Sequence, residues 1–107
     1  MKVEIQDMKR LVRMGECYAT NKISQEGMNV GFMYREESEY EGDSGWRFIS
    51  GTEDEAYMDD PSNMNIFEVN TIANFDPAII PYLDLPEGTE LERVEGTDQF
   101  SAFEAGE

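Results

Sequence analysis

The sequence predicts an α+β fold, a single small domain spanning 1–107 with a mainly antiparallel sheet, an N-terminal helix and short helical turns. Three observations point there. Residues 28–35 and 45–51 alternate apolar and polar side chains at period two on either side of a polar run. Residues 2–14 instead repeat their apolar positions at helical spacing. No regular long helices separate the strand-like segments, which argues against a doubly wound parallel sheet.

Taken in order, the first element is the helix, with Ile5, Met8, Leu11 and Val12 on one face. Asp7 is placed to cap it, and Lys9, Arg10 and Arg13 suit the negative end of its dipole. Gly15 is its stop signal. Residues 16–23 read as a first strand, ended by Ser24-Gln25-Glu26-Gly27. In 28–35, Val30, Phe32 and Tyr34 share a face opposite Gly31, Met33 and Arg35. The polar run 36–44 reads as an exposed loop. In 45–51, Trp46 and Phe48 share one face and Arg47 and Ile49 the other. These strands predict an antiparallel hairpin that buries Val30, Phe32, Trp46 and Phe48. Thr52 followed by Glu55 matches a capping box. Asp60-Pro61-Ser62-Asn63 is a turn, 66–69 a short strand, and 71–75 and 77–83 are helical turns around Asp76-Pro77. Another turn at 86–89 precedes a terminal hairpin of 91–94 with 100–103.

Composition narrows the functions. Asp and Glu number 24 against 8 Lys and Arg, a formal net charge of −16. Nucleic acid and anionic membranes are poor partners for such a chain, and a basic protein surface is a good one. Crowded acids repel one another in a compact fold, which predicts raised carboxyl pKa values and stability that falls as pH rises. There is no histidine, so the commonest general base and transition-metal ligand is missing. The lone Cys17 cannot form an internal disulfide and has no histidine to activate it; it reads as a small apolar strand residue. With no signal-like or membrane-length apolar run, the expected setting is the cytoplasm.

No phosphate-binding glycine loop is present, and no catalytic residue, metal ligand or cofactor is assigned. The acids and amides of 59–68 lack the mid-loop glycine of a calcium loop, and Pro61 falls at a ligand position. Arg35 and Arg47 are read as internal ion-pair partners of the acids. Between Gly51 and Pro61 lie five acids and no base: Glu53, Asp54, Glu55, Asp59 and Asp60. They are the candidate partner-binding segment. A pocket lined by Trp46, Arg47 and Asn70 is the alternative, in a ligand-binding module or an enzyme.

Several stretches carry a resemblance: 30–37, Asp43-Ser44-Gly45-Trp46-Arg47-Phe48, 51–60, Asn70-Thr71-Ile72-Ala73-Asn74-Phe75-Asp76-Pro77 and Ile79-Ile80-Pro81-Tyr82-Leu83. Over residues 15–94 the chain resembles a bacterial family first catalogued as a domain of unknown function and later proposed to be immunity proteins of polymorphic toxin systems. The resemblance implies a cytoplasmic antitoxin-like protein that neutralises a protein toxin. It supplies no catalytic residues. Gly45, Trp46, Arg47, Asn70, Asp76 and Pro77 are its motif residues, expected to define the fold.

Overall fold

A computed structural model describes residues 8–102. Alternating burial makes Glu16–Thr20 a strand (β1), with Cys17 and Ala19 fully buried. A short helix, Asn21–Ser24 (α1), follows at once. Phe32–Arg35 (β2) and Asp43–Ile49 (β3) form the expected antiparallel hairpin, with Met33 opposite Phe48. Glu55–Met58 (α2), Met64–Glu68 (β4) and Val69–Phe75 (α3) come next, with 3-10 turns at Pro61–Asn63 and Pro77–Tyr82. Glu90–Arg93 (β5) and Phe100–Ala102 (β6) close the series as a second antiparallel pair.

Across the sheet the order is β4-β1-β3-β2-β5-β6. β1 and β3 run parallel and every other neighbouring pair is antiparallel, so the α+β sheet is mixed. Helices α1 and α3 and the turn Pro77–Tyr82 bury Ile23, Val69, Ile72 and Ile79 against Cys17, Ala19, Met33, Trp46, Phe48 and Leu91. Trp46 sits in this core, stacked on Phe48 at 6.1 Å between ring centroids, and its Nε1 donates to the Leu83 carbonyl at 3.0 Å.

Three sequence-based expectations are corrected. Residues 8–14 form no helix, while Ile5 and Asp7 lie outside the described residues. The cause is in α3. Asn70 Oδ1 accepts the Leu11 and Val12 amides at 2.7 and 3.1 Å, and Asn70 Nδ2 donates to the Lys9 carbonyl at 2.9 Å. Asn74 accepts the Lys9 amide at 3.0 Å and also donates to its carbonyl. These carboxamides satisfy the backbone groups that a helix would have paired internally. Met8, Val12 and Met14 then pack on the core, whereas Leu11, a helical-face position, is 43% exposed.

The second correction is the face of β2. Val30 and Met33 are buried, and Phe32 and Tyr34 stand on the opposite side, half-buried. The alternation breaks at Gly31, where an added Cβ would lie 2.0 Å from the Ser50 carbonyl oxygen. Val30 is pinned separately, its amide donating to Asp76 Oδ2 at 2.9 Å and its carbonyl accepting from Arg93 Nε at 2.8 Å. Third, the cap of α2 is Asp54, which accepts the Tyr57 amide at 2.8 Å; the Thr52 hydroxyl pairs with Ser50 instead.

Candidate partner-binding surface

The surface is organised from the first residues of β3. Gly45 has φ 90°, and a Cβ there would lie 2.2 Å from the Glu36 carbonyl oxygen. Only glycine permits that approach. The Glu36 amide donates to the Gly45 carbonyl at 2.8 Å, which fixes the start of the β2–β3 loop beside β3. Glu36 and Glu39 are thereby brought to Arg47.

Arg47 lies under that loop with its side chain 3% exposed. Nη1 and Nη2 each donate to an Asp43 carboxylate oxygen at 2.9 Å, and Nε donates to Glu36 at 2.9 Å. Glu39 is 3.6 Å away, and the guanidinium sits 4.5 Å from the centroid of the Tyr18 ring. The Arg47 hydrogen bonds hold the Asp43 carboxyl well below the usual range despite its burial. Burial works against the Arg47 charge, but the bonds to Asp43 and Glu36 overcome it and raise its pKa. Arg47 is therefore the internal ion-pair partner that the sequence suggested. Arg35 is not: its guanidinium donates to the carbonyls of Ser44, Leu83 and Leu85 and lies 5.7 Å from the Trp46 ring centroid. Cys17, whose side chain lies on the core side of β1, is buried, and that burial pushes its thiol pKa up, away from the reactive thiolate.

The remaining motif residues connect distant parts of the chain. Asp76 accepts from the amides of Val30 and Ala78 and is ion-paired with Arg93. Pro77 opens the 3-10 turn, where a missing amide is tolerated. Asn70 holds residues 9–12. Trp46, Arg47 and Asn70 do not converge, because successive strand residues point to opposite faces. Asn70 lines a cleft of about 590 Å³ with Met8, Phe67 and Phe75. Arg47 lines a different one, with Tyr18, Tyr34 and Met64.

The acidic segment divides by role. Glu53 accepts from Thr20 Oγ1 at 2.6 Å, from the Ser50 amide at 2.8 Å, and from Ser50 Oγ and the Gly51 amide, each at 2.9 Å. Burial opposes ionisation of Glu53, but the Thr20 and Ser50 hydrogen bonds outweigh it and lower its pKa. Asp54 caps α2, and Asp60 caps the turn Pro61–Asn63 by accepting the Ser62 amide and hydroxyl, which lowers its pKa. Glu55 and Asp59 are exposed. Among the described residues, the carboxyls that shift, Asp43, Glu53 and Asp60, all shift downward, against the expectation from crowding alone, because local donors outweigh diffuse repulsion.

Opposite the helices, the sheet presents Tyr18, Phe32, Tyr34, Ile49, Met64 and Ile66, which alternation places on the Arg47 side. Sequence reading missed this face because it took the large aromatics of β2 as core markers. The chain is thus a small acidic α+β domain with one sheet face covered by helices and the other left open except where the β2–β3 loop covers Arg47, among the described residues. The family model described as the Immunity protein Imm33 domain matches residues 17–104, so the chain belongs to the Imm33 immunity protein family. Immunity proteins are generally non-enzymatic. No curated protein and no solved structure matches the chain. No helix among the described residues is long and apolar enough to cross a membrane.

Proposed function

We infer that this chain is a bacterial immunity protein of a polymorphic toxin system, which binds its partner toxin in the cytoplasm and neutralises it by direct contact. Family membership over 17–104 carries the reading. The net charge of −16 adds the character of the partner, a toxin with a basic surface. Toxins that act on nucleic acid need cationic surfaces to hold phosphates, and an acidic protein competes for that surface. In this reading Glu55 and Asp59, with the capping carboxylates of Asp54 and Asp60, steer the encounter, while Glu53 mainly holds its own loop. Neutralisation needs no cofactor, metal or catalytic residue of this chain. The test is co-expression with the cognate toxin, together with calorimetry on the two purified proteins. Survival of the host and a one-to-one complex are expected. A toxin that kills equally with and without this chain, and binds it at no concentration, would overturn the reading.

A further inference from the structure

We propose that the open face of the sheet, centred on Tyr18, Tyr34 and Ile66, is the surface that seats the toxin, and that the toxin meets it with a cationic patch around an apolar anchor. The proposal rests on the immunity reading and adds to it the surface and the chemistry of its occupant. Register places the three side chains in one row. Ile66 faces Tyr18 across β4 and β1, Tyr18 faces Arg47 across β1 and β3, and Tyr34 faces Arg47 on one side and Glu90 on the other. Ile66 is 49% exposed, on an edge strand, and the two tyrosines are half-buried. Both described helices that pack on the sheet, α1 and α3, feed the opposite core.

Charge decides the occupant. Glu36 and Glu39 border the row with side chains 49% and 58% exposed, and Glu90 and Glu92 border it from β5. The cation in the middle, Arg47, is covered and already held by three carboxylates, so an incoming surface meets net negative charge. A second copy of this chain would set acidic rim against acidic rim, which is unfavourable at close approach. A nucleic acid or an anionic lipid surface meets the same repulsion. A cationic protein gains from both parts of the surface. Its Lys and Arg side chains pair with the rim and lie over the tyrosine rings, and its apolar anchor covers Ile66. Tyrosines in such a centre are the residue type that carries binding energy, and the rim sets encounter rate.

The experiment uses the intact chain and the purified toxin domain that the co-expression test identifies, titrated by calorimetry. Ile66→Arg and Tyr34→Ala test the face. Leu11→Arg, on residues held by α3, is a control carrying the same added charge. Thermal melting and sedimentation are recorded for each. The expected result is a loss of affinity of about tenfold or more for Ile66→Arg, against about twofold or less for Leu11→Arg, with both variants folded. Hydrogen exchange on the wild-type complex gives a second readout that needs no variant, and protection is expected in 32–35 and 64–68. Wild-type affinity in both face variants, or protection confined to 69–82, overturns the open face while leaving the immunity reading intact. Failure of the wild-type chain to bind the toxin domain at all overturns the immunity reading, and this proposal with it. Dimers of the chain that Ile66→Arg dissociates, without any loss of toxin affinity, assign the face to a second copy and overturn the proposal.

Discussion

Two buried residues, neighbours on β3, hold the structure in different ways. Trp46 fills the core and satisfies its indole N–H on Leu83, so Trp46→Ala is expected to cost about 3–5 kcal/mol and to lower the melting temperature steeply. Arg47 is held by Asp43, and removing that carboxylate leaves a covered cation short of its bidentate, buried partner. Asp43→Asn should therefore cost about 3 kcal/mol at neutral pH. The pH dependence follows from the direction of the shift. The Asp43 pKa is lower folded than unfolded, so the folded chain binds fewer protons through the carboxylate range. Its contribution is in place above about pH 5 and is lost as pH falls through and below that range. Melting curves of wild type and Asp43→Asn at about pH 7 and about pH 3.5 check this, since the gap between them should narrow in acid. A constant gap would count against the pairing.

Elements show where sequence was legible and where it was not. The hairpin of β2 and β3 could be read because both strands alternate on either side of a polar loop. The terminal hairpin and the helical turn before Asp76 were visible for similarly local reasons. Residues 8–14 were misread because their conformation is imposed by side chains some sixty residues away, and periodicity carries no record of that. Asn70 is singled out in the sequence only as a motif residue, and Asn74 only as part of the stretch that carries it. Asn70→Ala should release this segment, costing about 1–2 kcal/mol, with faster hydrogen exchange at the Leu11 and Val12 amides than at core amides of β3. Unchanged exchange at those two amides would refute the clamp. The open face escaped notice for a different reason. Phe32 and Tyr34 look like core residues, and their orientation depends on the break at Gly31. Of the acidic segment, the sequence exposed the charge but not its uses as caps and loop ties.

At the scale of the whole molecule the charge is long-ranged and the contacts are local, so the two are separable by experiment. Glu55→Gln with Asp59→Asn removes charge without removing a side chain that makes a capping hydrogen bond, and should slow toxin association several-fold at low salt with an unchanged melting temperature. The difference should fade once salt screens beyond about 10 Å, near 0.1 M. Glu53→Gln should do the reverse, lowering the melting temperature by weakening the ties to Thr20, Ser50 and Gly51 while leaving association nearly unchanged. A pattern in which all three substitutions slow association equally would mean the segment acts only as bulk charge. The link from Asp76 to both Val30 and Arg93 has a temporal consequence as well. β2 lies between β3, which follows it closely, and β5, made almost sixty residues later. Loop closure of that length must precede the contacts that reward it, which places this topology among the slower folders. During synthesis β2 therefore waits, one edge unpaired, until residue 93 has left the ribosome. A nascent chain stalled before that point should remain protease-sensitive at Trp46, and the proposed toxin-binding face would be complete only once β5 has emerged.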